Sequence, residues 1–185
     1  IGSLPDGEMQ FHSDGAHREY PYRATTLYGI KIPSKGGNTM FANLQMAYDA
    51  LPTNLKERIT GLQTQTVYDY AAQDRSTIGA DPSLPRARHP LVKTHPTTGR
   101  KSLYLSRLMT EKIIDMKPSE SENLLMDLFE HAEKSEFVYS HKWTPGDLVI
   151  WDNRSTNHAR TDFPADEQRL LRRYTVSEPN APLGN

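Results

Sequence analysis

The chain has 185 residues, enough for one domain with its own core, and a formal net charge of -1, which gives no reason to expect nucleic acid or an anionic membrane surface as a partner. There is no cysteine, so disulfides and thiolate chemistry are excluded, and no apolar run approaches the ~20 residues of a membrane-spanning helix. With 13 Pro, 11 Gly and 36% hydrophobic residues, much loop around a modest core is expected.

The first informative stretch is Met9-Gln10-Phe11-His12-Ser13-Asp14-Gly15. In an extended strand, side chains two apart reach the same face roughly 7 Å from one another, so His12 and Asp14 can converge on one metal ion. A histidine from elsewhere would complete a set of two His and one carboxylate with coordination positions left open, the pattern of non-haem Fe(II) oxygenases. Alone, an H-x-D tripeptide more often marks a strand end with two solvated polar residues.

Residues 23–32 (RATTLYGIKI) read as a strand stopped by Pro33, and 34–38 (SKGGN) as a turn before a short strand over 39–42. Asn43 is placed to cap a helix running through Met46, Ala47, Tyr48 and Leu51 to Pro52. Thr53 opens a second helix, with Leu55, Ile59 and Leu62 on one stripe. Residues 64–70 alternate as a strand, and 71–88 (AAQDRSTIGADPSLPRAR) have no period and read as a long loop of the kind that covers sites. Residues 91–94 and 102–105 flank the turn 95–99 as a hairpin. Pro118-Ser119 with Glu122 has the form of a capping box, starting a helix that buries Leu124, Leu125, Leu128, Phe129 and Ala132. Residues 137–143 form the next strand, 144–147 (TPGD) a turn, 148–151 (LVIW) a buried strand, and 169–176 (RLLRRYTV) the last strand. Many short strands with helices confined to insertions point to a β-sandwich or jelly roll rather than βαβ units.

Trp151-Asp152-Asn153-Arg154-Ser155-Thr156-Asn157-His158, followed by Arg169 and Arg173, closely resembles the C-terminal signature of the taurine dioxygenase (TauD/TfdA) family of Fe(II)- and 2-oxoglutarate-dependent oxygenases. The family's H-x-D and Gly-Gly-(Asp/Asn)-Thr elements occur upstream, in order, as His12-Ser13-Asp14 and Gly36-Gly37-Asn38-Thr39. Similarity runs from about Phe11 to Thr175. The resemblance implies a mainly β chain built as a double-stranded β-helix (jelly roll) with helical insertions, a single domain over 1–185 whose early N-terminal strands would lie upstream of Ile1. It further implies Fe(II) held by His12, Asp14 and His158, 2-oxoglutarate held by Thr39 and Arg169, O2 as oxidant, and Arg173 at the substrate's anionic group. Phe11 stands where the family commonly has Trp. Glu8 stands where the taurine enzyme has a substrate-contacting Asn, which argues against taurine itself.

Read from the residues alone, Arg169, Leu171, Arg173 and Thr175 share one strand face and Leu170, Arg172, Tyr174 and Val176 the other; both are mixed, so periodicity does not say which is inside. If the arginine face lines the barrel, a buried guanidinium needs an anionic partner, and the planar fork suits a carboxylate. Thr39 is plainly a β-branched strand residue, its co-substrate role coming only from the resemblance. His17 reads as a solvated loop residue and the spare ligand candidate, His89 and His95 as loop residues beside prolines, and His131 and His141 as unremarkable surface positions. Arg160 reads as a surface charge facing Asp162 or Asp166.

The expectation is therefore a dioxygenase that hydroxylates a small, anionic organic substrate with release of succinate and CO2. Its setting would be cytoplasmic, its partners small molecules rather than nucleic acid or membrane, with homo-oligomerisation compatible. Two other readings remain open: a cupin-like metal isomerase, lyase or hydrolase using the triad as a Lewis-acid site, and a jelly-roll binding module without turnover.

Overall fold

Short strands and three α-helices make up the chain over residues 7–69, 72 and 75–181, which the computed structural model describes. In chain order these are β1 (Met9–His12), β2 (Ala24–Lys31), β3 (Thr39–Asn43), helices α1 (Leu44–Asp49) and α2 (Thr53–Ile59), β4 (Gln63–Val67), β5 (Arg86–Pro90), β6 (Val92–Thr94), β7 (Lys101–Leu103), β8 (Thr110–Ile113), helix α3 (Pro118–Ala132), β9 (Val138–His141), β10 (Leu148–Asp152), β11 (Thr156–Arg160) and β12 (Leu170–Val176). Two antiparallel sheets carry the architecture, ordered β1-β11-β3-β9 and β10-β2-β12. Side chains bridge them: the Trp151 ring lies 5.1 Å from that of Phe41 and 4.8 Å from that of His158. This is the expected jelly roll. Residues 44–137 form the insertion between β3 and β9, with the three helices and the small sheets β5-β4-β8 and β6-β7.

The two faces of the four-stranded sheet have different jobs, because successive side chains point oppositely. Phe11, Ala42 and Ala159 face the insertion and join Leu44, Leu103, Leu105, Leu124, Leu125, Leu128 and Phe129 in the main apolar cluster. Their sequence neighbours His12, Phe41 and His158 are buried as well, with His12 and Phe41 both opposite His158 in the sheet. The largest apolar core thus lies outside the barrel, leaving the interior for polar groups.

Several expectations hold locally. Asn43 caps α1, accepting from the backbone N–H groups of Gln45 and Met46 at 3.1 Å each, and the 95–99 turn does join a hairpin of β6 and β7. Others need correction. The capping box does not form: Pro118 takes the first helical turn, Lys117 stands at the cap without a side-chain bond, and Glu122 is held by Arg75 at 2.8 and 3.0 Å. The 71–88 stretch is not all loop, since Arg75–Thr77 form a 3-10 turn and β5 starts at Arg86; residues 70, 71, 73 and 74 lie outside the described residues. β8 was not anticipated, its Thr-Glu-Lys-Ile having little apolar pattern. Phe137 belongs to a 3-10 turn and Trp143 lies beyond β9. β10 is not a buried strand: Val149 and Trp151 turn inward, whereas Leu148 and Ile150 are 62% and 64% exposed on the outer face of the three-stranded sheet. An apolar run says nothing about which of its two faces is covered. The expectation of strands upstream of Ile1 falls outside the described residues.

Candidate metal centre and anion site

β1 ends at His12, and Asp14 sits in the turn that follows, so the two do not share a strand face as expected. They converge all the same: His12 Nε2 lies 4.0 Å from Asp14 Oδ1. β11 adds the third group, its His158 standing opposite His12 across the β1–β11 pair with ring centroids 4.1 Å apart, and His158 Nε2 lies 3.9 Å from Asp14 Oδ2. One ligand atom from each of His12, Asp14 and His158 lies within 4.8 Å of the others, and all three residues are buried.

The protonation states suit a cation. His12 Nδ1 lies 2.9 Å from the Gln10 carbonyl oxygen, so that nitrogen carries the proton and Nε2 keeps its lone pair. Burial pushes the His12 imidazolium pKa below its ordinary value against the pull of Asp14, and burial together with the neighbouring His12 pushes His158 down to about 3. Asp14 is held below the usual carboxylate range: burial opposes ionisation, but His158, His12, Arg173 and the Thr25 hydroxyl together outweigh it. Two neutral imidazoles and an ionised carboxylate, with no thiolate, fit a divalent ion of the iron type.

A second constellation lies on the same inner surface. Thr39, 2% exposed, stands two residues before Phe41 on β3 and opposite Arg160 on β11. Its hydroxyl oxygen accepts from Trp143 Nε1 at 2.9 Å and from Arg169 Nη2 at 3.2 Å, while Arg169 Nε donates to the Gly37 carbonyl at 2.8 Å. The Gly-Gly-Asn-Thr element acquires a physical meaning here. Gly37 has φ +64°, and a Cβ there would meet Pro33 Cγ at 2.9 Å and Arg169 Cδ at 3.1 Å. Only glycine lets the arginine lie flat against the backbone. Burial and the nearby Arg160 charge push Arg169 down to about 10, and among the described residues no carboxylate pairs with it.

Arg173 reaches the centre, its Nη1 lying 3.2 Å from Asp14 Oδ1, but its side chain is 51% exposed, so the expected desolvated guanidinium is corrected to a half-exposed one at the rim. Arg169 precedes β12 rather than lying in it, and the register shifts between Leu170 and Leu171, so strict alternation does not relate the two arginines. Arg160 donates to the Gly7 carbonyl at 2.7 Å and lies over the Phe163 ring. Glu8 is exposed.

The remaining histidines stand apart from the cluster. His17 is half-buried against Tyr68, with ring centroids 4.6 Å apart. His89 and His95, read as loop residues, are buried: His89 Nε2 bonds the Ala16 carbonyl at 2.8 Å, and His95 Nε2 bonds Asp152 Oδ2 at 2.8 Å. Both brace chain next to the site, Ala16 following Asp14 and Asp152 preceding Asn153. No sequence spacing could have signalled these contacts, which join residues 73 and 57 positions apart.

Fold and cluster together define a jelly-roll protein carrying a buried two-histidine, one-carboxylate centre beside a partly buried arginine. The chain matches the family described as "Taurine catabolism dioxygenase TauD, TfdA family" over residues 1–175. It is 35% identical over 173 residues to the alpha-ketoglutarate-dependent 2,4-dichlorophenoxyacetate dioxygenase of Cupriavidus pinatubonensis, covering 90% of this chain and 59% of that protein. It is also 35% identical to the (S)-phenoxypropionate/alpha-ketoglutarate-dioxygenase of Sphingobium herbicidovorans, covering 89% of this chain and 61% of that one. Among solved structures, AAD-2 in complex with Mn(II) and N-oxalylglycine superposes with a TM-score of 0.82 at 37% identity, covering 92% of this chain and 69% of that chain. The chain belongs to the TauD/TfdA dioxygenase family. It spans about three fifths of the length of the curated relatives named here.

Proposed function

We propose that the protein is an Fe(II)- and 2-oxoglutarate-dependent dioxygenase that hydroxylates a small organic substrate bearing an anionic group, with succinate and CO2 as co-products. The observation that carries this reading is Arg169: a partly buried guanidinium held by a carbonyl and a hydroxyl, with no carboxylate partner among the described residues, on the surface that also carries the His12, Asp14 and His158 cluster. A cation partly withdrawn from water without a counter-ion loses solvation, as the lowering of the Arg169 pKa by burial reflects, and a dicarboxylate whose far end reaches it supplies the missing charge. A Lewis-acid isomerase or hydrolase would leave Arg169 with nothing to bind.

In this reading His12, Asp14 and His158 are the complete protein ligand set, and the bound iron with 2-oxoglutarate supplies the oxidising chemistry. Arg169 takes the distal carboxylate of 2-oxoglutarate. The Thr39 hydroxyl accepts two bonds already, from Trp143 and Arg169, so its own proton is left to donate to that carboxylate. The buried inner faces exclude bulk water, while Arg173 at the rim meets the anionic group of the substrate. Two relatives act, by name, on 2,4-dichlorophenoxyacetate and (S)-phenoxypropionate, both carboxylates, and this supports the anionic class. We further propose that residues 1–185 form one domain and that its setting is cytoplasmic. Among the described residues no helix is long and apolar enough to cross a membrane.

The deciding experiment is anaerobic addition of Fe(II) and then 2-oxoglutarate, following visible absorption. A charge-transfer band that needs both additions is expected in the parent and absent in His158→Ala. A metal-loaded protein showing no response to 2-oxoglutarate would instead support the Lewis-acid alternative.

A further inference from the structure

Asp14 is the one member of the cluster outside a strand, so no sheet ladder fixes it, and the residues that do hold it are all remote in sequence. The geometry points to Asn153 and Thr25 as its positioning residues, Asn153 setting where the Asp14 backbone lies and Thr25 setting the plane of its carboxylate. This deepens the reading of Asp14 as a metal ligand and rests on it.

Asn153 is fully buried. Its Oδ1 accepts the Asp14 backbone N–H at 2.9 Å, and its Nδ2 donates to the Asp14 carbonyl at 2.8 Å and to the Tyr22 carbonyl at 2.8 Å. The Asn153 backbone is itself held, its N–H donating to the Arg23 carbonyl at 3.0 Å and its carbonyl accepting from Ser13 Oγ at 2.8 Å. A side-chain amide pairs with both backbone groups of one residue only because it carries a donor and an acceptor on the same plane. An Asp in its place would face two carbonyl oxygens with an acceptor, and a Leu would leave them unpaired in a buried site. Asp152 is tied to His95 and Arg154, so the segment that carries Asn153 is anchored.

Thr25 is also fully buried, on the central strand β2, opposite Trp151 on β10 and Thr175 on β12. Its hydroxyl donates to Asp14 Oδ2 at 3.0 Å, while Arg173 Nη1 approaches Oδ1 at 3.2 Å. Each carboxylate oxygen therefore meets one donor from the facing sheet. The terminal carboxylate torsion is broad and shallow by itself, so these two donors decide how the group faces His12 and His158.

The test uses Co(II) alone, titrated into the metal-free protein and its Thr25→Val and Thr25→Ser variants. Valine keeps the shape and suits a central strand, so the fold is retained and only the hydroxyl is lost. Loss of an outer partner of a metal ligand weakens affinity by about 10–100-fold. We expect that loss in Thr25→Val, with altered Co(II) ligand-field absorption, and recovery of both in Thr25→Ser; the metal-free Thr25→Val protein should still unfold in one cooperative transition, at a somewhat lower temperature because the buried Asp14 carboxylate loses a donor. Thr25→Val titrating like the parent, with the same spectrum, would overturn the role of Thr25 while leaving the triad in place. A parent that takes up no Co(II) would overturn the triad and this inference together. For Asn153, whose variants can fail to fold, the measurement is made on the parent: slow hydrogen exchange is expected at the Asp14 amide, and exchange at the rate of an open turn would remove Asn153 from the role.

Discussion

Nη2 of Arg169 lies 3.2 Å from the hydroxyl oxygen of Thr39, 130 residues away in sequence, and Trp143 Nε1 completes the group from a third segment at 2.9 Å. If this is the 2-oxoglutarate site, removing the guanidinium should cost about 1.5–3 kcal/mol of binding, the range of a charge-assisted bond. Arg169→Ala should therefore bind 2-oxoglutarate roughly 10–150-fold more weakly, read from titration of the Fe(II) charge-transfer band. Thr39→Val, which keeps the β-branched shape, should lose only several-fold, as expected of about 1 kcal/mol for a neutral hydroxyl.

The triad is tested by His158→Ala. With His158 gone, two protein ligands remain, and stoichiometric binding of Mn(II) or Fe(II) should be lost along with succinate release. Because His141 is bonded to Asp147 and His131 to the Ala47 carbonyl, neither is placed to substitute. Turnover retained at the parent rate would remove His158 from the ligand set.

Arg173 separates substrate recognition from co-substrate recognition. Succinate release by Arg173→Ala and by the parent should be compared on matched anionic and neutral substrates. A larger loss on the anionic one is expected, modest in size because the guanidinium is half-exposed, on top of a smaller loss shared by both through the Asp14 contact. Equal loss on both would leave Arg173 with the Asp14 contact alone.

The pH response of stability should carry the mark of His89. Burial, helped by the Lys93 ammonium beside it, lowers its pKa from 6.5 to about 4. The unfolded chain then takes the proton first as pH falls, so the contribution of neutral His89 is complete above about pH 6.5 and is lost on going down towards pH 4. Its slope reaches at most about 1.4 kcal/mol per pH unit. Denaturant unfolding of the metal-free protein should show this decline, and His89→Gln, which cannot titrate, should make it shallower without abolishing it, because burial lowers His12, His17 and His158 in the same direction.

Phe129 offers a test of the insertion's core. It is 1% exposed, and Arg75 and Arg107 lie over its ring at 4.8 and 5.3 Å. Phe129→Ala should destabilise by about 3–5 kcal/mol through the lost burial and the cavity left behind. Phe129→Leu should cost markedly less. Urea unfolding followed by circular dichroism measures both.

What was readable in the sequence was local or carried whole by a motif. Asn43 before an apolar-periodic run capped a helix, because a cap is a contact over two or three residues. The α3 stripe of Leu124, Leu125, Leu128 and Phe129 was buried as its spacing required. His12, Asp14 and His158 were found because each stands in a short signature, and their convergence follows from β1 and β11 being neighbours in one sheet. His12 and Asp14 nevertheless do not share a strand face, since a turn and not a pleat brings them together.

Tertiary structure alone decided the rest, and it did so wherever a choice between two faces or a long-range bond was involved. A strand such as Leu148–Trp151 presents apolar groups on both sides, and only the packing of the two sheets leaves Leu148 and Ile150 outside. Arg169 and Arg173 look equivalent in sequence; the first is partly buried against Gly37 and Thr39, the second half-exposed against Asp14, because the register shift at Leu170 breaks the two-residue repeat. His89, His95 and Thr25 carry no signal of their own, and Asn153, although part of the Trp-Asp-Asn-Arg signature, does not show there which residue it holds. Their partners lie 11 to 139 residues away, and a hydrogen bond across that separation is specified by the fold of the whole chain rather than by anything near the residues that make it.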